Sequence, residues 1–447
     1  MAAAAAAAST TAEQQAFPMD PHIFTSGPAI RDDLETHSST VQDATVLECL
    51  PFLNGEEHGQ CNGHGIPRLE KERHVKFLHK QLGKLPGQFM AADPSRPWIF
   101  YWCLAALSLL GEDVEVYRTR LIETTSHLAT TYATVLSLAL VGGNEAYEVV
   151  DRRSMWRWLS SLKQPDGGFQ MAVGGEEDVR GAYCAAVIIS LLNLPLDLSP
   201  DSPACIAGHT GLFSGLAEWV RLCQTYEGGV SAKPGVEAHG AYAFCALGCL
   251  SIIDTPHRSV GRYLDVPRLI AWLSSRQYAP EGGLSGRTNK LVDGCYSHWV
   301  GGCWPLIEAS LSGPEGSKAN PAGRPLDNTD TDDSLFSRNG LIRYILCCCQ
   351  EMSKRGGMRD KPSKYSDAYH TCYVLSGLSS VQHKWRLITA RADEAIIGGD
   401  EWEVSPYLQG QQIFDEQDRL ATTHPVYVIP QHRVKEIQNY FTEKQGF

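Results

Sequence analysis

Apolar residues recur along most of this chain at i, i+3 and i+4, the mark of helices with one buried stripe. Three stretches share a layout. Leu159-Ser-Ser-Leu-Lys-Gln164 leads to Asp166-Gly-Gly-Phe169, Trp219-Val-Arg-Leu-Cys-Gln224 to Glu227-Gly-Gly-Val230, and Trp272-Leu-Ser-Ser-Arg-Gln277 to Glu281-Gly-Gly-Leu284. Each time an amphipathic helix ends, an acidic residue and two glycines follow. A second apolar helix then starts about 10 to 15 residues later. A tight reversal after a helix needs positive φ, which explains the glycines.

The second helices align as well. Ala182-Tyr-Cys-Ala-Ala, Ala241-Tyr-Ala-Phe-Cys and Cys295-Tyr-Ser-His-Trp hold equivalent places. Thr131-Tyr-Ala-Thr-Val fits the frame earlier. Tyr369-His-Thr-Cys-Tyr fits it later, after Gly356-Gly357, and an opening copy lies around Pro97–Trp102. The period is roughly 50 to 60 residues, which signals stacked or closed repeats. A helix pair cannot bury its apolar face alone, so pairs stack. The expectation is an all-α chain of about six helix pairs closing into a ring, with inner helices lining a central cavity. Strand signals are scarce. Residues 1–45 read as a disordered tail and 46–447 as one unit. The Gly-, Pro-, Asn- and Asp-rich stretch 313–333 reads as an exposed inserted loop. Beyond about His383 irregular structure is expected, then a last helix near Val434–Phe441.

Of the 447 residues, 43% are hydrophobic, enough for a large core. The net charge of −12 argues against nonspecific nucleic-acid binding. No apolar run reaches the roughly 18 residues of a membrane span. The 14 cysteines sit mostly in apolar stretches, which suggests thiols in a reducing compartment, here taken as the cytoplasm. Cys347, Cys348 and Cys349 resemble a metal cluster. Consecutive helical side chains diverge by about 100°, however, so they read as packing thiols.

Chemistry gathers where a purely structural ring would be bland. Arg180, His239, Arg287, Lys290, Asp293, Cys295 and His370 all fall at or just before inner helices. Helix N-termini favour anions, and this basic set suits a diphosphate. By spacing alone, Asp293, Cys295 and His370 fit two readings: an open O, S, N metal site, or a packed thiol beside a capping carboxylate. His239 is equally a satisfied core histidine, and His298 reads as structural. Trp98, Trp102, Tyr183, Tyr242 and Trp299 taken singly are ordinary core; recurring beside a polar cluster, they suggest an apolar cavity.

Four motifs, Asp178-Val-Arg-Gly-Ala-Tyr-Cys184, Glu237-Ala-His-Gly-Ala-Tyr-Ala-Phe-Cys245, Arg287-Thr-Asn-Lys-Leu-Val-Asp-Gly-Cys-Tyr296 and Tyr369-His-Thr-Cys-Tyr-Val-Leu-Ser-Gly377, resemble the β subunits of protein prenyltransferases, specifically farnesyltransferase. His424-Pro-Val-Tyr427 fits too. The resemblance covers about Leu69 to Leu378 and implies an α/α toroid. It implies one zinc per β subunit on Asp293, Cys295 and His370. It assigns the farnesyl diphosphate head to His239, Arg287, Lys290 and Tyr296. The isoprenoid wall falls to Trp98, Tyr183, Tyr242, Cys245, Trp299 and Tyr373. Contacts to a C-terminal Cys-a-a-X (CaaX) peptide fall to Trp98, Trp102, Arg180 and Tyr369, and magnesium with the diphosphate to Asp360. It also implies a farnesyltransferase α subunit as partner in a heterodimer. Trp98, Tyr373 and Asp360 favour farnesyl over the nearest alternative, the type I geranylgeranyltransferase β subunit. A terpene-cyclase-like toroid would need an acid motif, for which only Asp330-Thr-Asp-Asp333 is suggestive. A non-catalytic toroid would not need Asp293, Cys295 and His370 together.

Overall fold

The structure, a computed structural model, describes residues 34–83, 95–125, 132–314, 335–390, 396–407, 412–444 and 447. After a first helix, α1 (His37–Leu53), helices alternate between an outer and an inner layer. The pairs are α2 (Lys71–Gln81) with α3 (Arg96–Leu109), α4 (Arg118–Thr125) with α5 (Tyr132–Val141), α6 (Arg152–Leu162) with α7 (Val179–Leu191), and α8 (Leu216–Leu222) with α9 (Gly240–Ile253). In the fifth pair α10 (Val266–Ser274) is followed by an inner helix in two pieces, α11 (Tyr296–Trp299) and α12 (Trp304–Ser312). The sixth pairs α13 (Arg338–Arg343) with α14 (Ala368–Gln382). Each inner helix packs on the next, and α14 packs back on α3, so the ring closes as an α/α toroid.

The double glycines explain the stacking. Gly228 has φ +102°, and a Cβ there would collide with the Arg268 carbonyl at the start of the next outer helix. Its neighbour Gly229 lies flat on the Trp272 ring. The last copy, Gly356-Gly357, meets Arg73 and Phe77 of α2 in the same way, which joins the sixth repeat to the first. Buried His74 latches that seam: its Nδ1 accepts from Gly357 N at 3.0 Å, and its Nε2 lies 3.2 Å from Gln350 Oε1. Outer helices as short as α8 are not stable alone, so this packing holds them.

Two expectations need correction, the tail boundary and the irregular stretch after His383. The proposed tail boundary near residue 45 falls inside α1, where Val46, Cys49 and Leu53 form a buried stripe; residues 1–33 lie outside the described residues. After His383 the chain forms an antiparallel ladder of β1 (His383–Thr389) and β2 (Glu401–Pro406), and alternate burial along β1 is the reason. Of the loop expected at 313–333, residues 315–333, and with them Asp330–Asp333, lie outside the described residues. The final helix is longer than expected, Gln431–Glu443. Cys347, Cys348 and Cys349 are buried in the wall behind α1. No helix among the described residues is long and apolar enough to cross a membrane.

The segment around 421–428 covers the C-terminal ends of inner helices. Ala421 N donates to Leu109 O at 2.9 Å, and Ser379 Oγ donates to Ala421 O at 2.7 Å. Tyr183 reaches it through its hydroxyl, 2.6 Å from Val426 O. The polar residues flagged in the sequence stand at the opposite ends, the inner-helix N-termini.

Candidate metal centre and aromatic wall

Four inner-helix starts share a cap. Asp178 accepts from Arg180 N at 2.7 Å, His239 Nδ1 from Ala241 N at 3.1 Å, Asp293 from Cys295 N at 2.8 Å, and Asp367 from His370 N at 2.8 Å. Side-chain acceptors at this place satisfy otherwise orphaned helix donors. The fifth and sixth inner helices are neighbours in the ring, and their packing brings the last two starts together, so Asp293, Cys295 and His370 converge. One ligand atom from each lies within 4.8 Å of the others.

The trio suits a cation. Donors on one zinc stand roughly 3.5 Å apart, so small rotations close this set and leave a fourth position open. His370 Nε2 is buried and lies 3.2 Å from Asp293 Oδ1, without hydrogen-bond alignment. Its Nδ1 is taken by Asp367 Oδ2 at 2.7 Å, which turns Nε2 to the centre. Burial pushes the His370 imidazole down, but Asp293 and Asp367 lift it to about 10. Burial pushes the Asp293 carboxyl up, yet His370 and the Cys295 amide hold it below the usual range. Cys295 is 3% exposed, and burial and then the Asp293 charge push its thiol well up.

Beside it lies a polar shelf. Because His239 Nδ1 accepts a backbone N–H, the ring's proton sits on Nε2, 3.1 Å from the Tyr296 hydroxyl. Burial, then Arg287, lowers this imidazole to about 4, so it is a neutral donor near pH 7. Arg287 is half-exposed and paired with Glu237 at 2.9 Å, and Lys290 is exposed nearby. Arg180 is held by both Asp178 oxygens, 3.1 and 3.0 Å from Nε, and lies over the Tyr242 ring. Asp360 is engaged otherwise than expected: both its oxygens lie on Lys361 Nζ, at 2.6 and 2.7 Å.

Below the shelf the aromatics form one connected wall. Tyr369 touches His370 (5.1 Å between ring centroids), Trp102 (5.4 Å) and Tyr373 (4.9 Å), and Tyr373 touches Trp299 (4.4 Å). Trp98 bridges Trp102 and Tyr132, each at 5.7 Å, and Tyr132 leads to Tyr183 at 5.8 Å. Tyr183 and Cys245 are buried in it, while Trp98, Trp102, Tyr242 and Trp299 stay only partly covered inside the ring. His298 is buried in the wall on Ser376 Oγ at 3.0 Å. The sequence reading passed over Tyr132, Phe244, Lys361 and Asp367. Tyr132 shares the repeat frame with Tyr183 and Tyr242, and Asp367 stands three residues before His370, so both carried a signal.

The matches to known proteins agree with this geometry. The family model described as the prenyltransferase alpha-alpha toroid domain matches residues 69–126 and 118–429. The chain is 56% identical to protein farnesyltransferase subunit beta of Pyricularia oryzae, over 96% of this chain and 85% of that protein. It is 34% identical to the subunit of the same name from Schizosaccharomyces pombe, over 92% of this chain and 98% of that one. A solved structure of Candida albicans protein geranylgeranyltransferase-I complexed with GGPP shares the fold at TM-score 0.59 and 19% identity, over 85% of this chain and all of that one. Sequence, closed ring and relatives agree that the chain belongs to the protein farnesyltransferase β-subunit family.

Proposed function

We propose that this chain is the catalytic subunit of a cytoplasmic zinc-dependent farnesyltransferase. It would transfer farnesyl from farnesyl diphosphate to the cysteine thiol of CaaX-ending proteins, in a heterodimer with an α subunit. One observation carries the reading: Asp293, Cys295 and His370 meet at the mouth of an aromatic-lined ring. Zinc on these three residues would lower the pKa of a substrate thiol, making a thiolate available near neutral pH.

The chain's own residues then have separable tasks. The substrate sulfur forms a bond to C1 of the farnesyl group as the C1–O bond breaks and pyrophosphate departs. Negative charge grows on the bridging oxygen, and donors already in position lower that barrier. Neutral His239 offers Nε2–H, Tyr296 its hydroxyl, and Arg287 and Lys290 full charges. Arg287 must first leave Glu237, an exchange of one anion for a more highly charged one. Trp98, Tyr183, Tyr242, Cys245, Trp299 and Tyr373 would hold the isoprenoid and keep water off C1. Trp102, Arg180 and Tyr369 would meet the peptide. For magnesium the arrangement is not a ready site, since Lys361 occupies both Asp360 oxygens.

Trp98, wedged against Trp102 and Tyr132, limits the depth available to the lipid. Co-expressed with an α subunit and given both diphosphates in competition, the wild type should transfer farnesyl preferentially. Trp98→Thr should move the preference toward geranylgeranyl, and an unchanged ratio would sink the depth argument.

A further inference from the structure

Lys361 has no role in the chemistry above, yet it is 7% exposed at its side chain and grips a carboxylate at the mouth of the site. Its ammonium lies 2.6 Å from Oδ1 and 2.7 Å from Oδ2 of Asp360. The pair cannot easily drift apart. The Asp360 carbonyl accepts from Gly294 N and from the Tyr344 hydroxyl, both at 2.9 Å, which fixes residue 360 to the Asp293-Gly-Cys295 turn. Pro362 follows and restricts the backbone of Lys361. A half-buried carboxylate near a second carboxylate needs a counter-charge, and the ammonium supplies it.

We infer that Lys361 is the resident counter-cation of Asp360, and that a divalent cation reaches this carboxylate only by displacing the lysine. Lys361 is then a positioning residue that sets how much divalent metal the diphosphate site requires. This rests on the reading that the diphosphate of farnesyl diphosphate lies beside Asp360. An ammonium and a divalent ion cannot share the same two oxygens, so removing the lysine frees both and leaves the local potential more negative.

The test is divalent binding rather than turnover. Mn2+ is titrated into the zinc-loaded heterodimer holding a non-reactive farnesyl diphosphate analogue, and free Mn2+ is read by electron paramagnetic resonance. Lys361→Met should lower the Mn2+ midpoint on the order of tenfold, as loss of a close competing charge implies. Lys361→Gln, a smaller change in shape and polarity, should shift it the same way, and Lys361→Arg should stay near wild type. Asp360→Asn should raise the midpoint. A raised midpoint in Asp360→Asn with no fall in Lys361→Met or Lys361→Gln overturns the inference alone. An unchanged midpoint in Asp360→Asn overturns both the inference and the placing of the diphosphate beside Asp360.

Discussion

Asp367 gives His370 both of its oxygens, one to the backbone N–H and one to Nδ1. The first bond caps α14; the second fixes which ring nitrogen faces Asp293 and Cys295. Asp367→Ala should therefore weaken zinc retention about 10- to 100-fold in competition with a chelator, the usual effect of losing such a partner. Loss of a cap alone would lower stability by about 1 kcal/mol and leave metal affinity intact. That second outcome would reduce Asp367 to a structural role. Identity was easier to read in the sequence than orientation. The residue types at 293, 295 and 370 stood out, but their meeting depends on the packing of two successive inner helices separated by some 75 residues. Arg287 on Glu237 and Asp360 on Lys361 were not legible, because partner choice among exposed or half-buried charges has no period or motif.

At the scale of elements, the turn between helices does the joining. Gly228 combines positive φ with contact on the next helix's backbone, so Gly228→Ala should destabilise by at least ~2 kcal/mol. Gly261, in the helix Pro256–Tyr263, has open space where a Cβ would stand and no positive φ. Gly261→Ala should be neutral or stabilise by up to about 1 kcal/mol. Thermal melts of the two variants decide it, and equal losses would refute the stacking role. Helix pairs were legible because a repeated stripe and a repeated glycine pair mark each one. The β1–β2 ladder was missed although His383, Trp385 and Leu387 alternate inward, because its neighbours Lys384 and Ile388 are half-buried and blur the period. Helix α1 was missed because Pro51 stands inside it and its apolar residues crowd the second half without marking a single face.

Across the whole molecule, several histidines are buried neutral in places that hold the ring together. Burial lowers His74, at the closing seam, to about 4, and lowers His298 and His424 to about 3. An unfolded histidine titrates near 6.5, so between that pH and about 4 the unfolded chain binds protons that the folded chain refuses. Stability should thus fall as pH drops through this window, by on the order of 3 kcal/mol from His74 alone. Melting temperature measured from pH 7 to 4 should decline, and His74→Gln should flatten the slope; a flat wild-type profile would contradict the neutral seam. The toroid was legible as a count of repeats, while the path of the segment at 421–428 across the inner helices was not, since much of it is held through its own backbone, which carries no side-chain pattern. The central claim is that Asp293, Cys295 and His370 hold the zinc on which transfer depends. Elemental analysis of the purified heterodimer tests it most directly: about one zinc per β chain in the wild type, as the site's single open tetrahedron implies, and none in Cys295→Ala, whose farnesyl transfer is lost with it. Full zinc and undiminished transfer in Cys295→Ala would contradict the account.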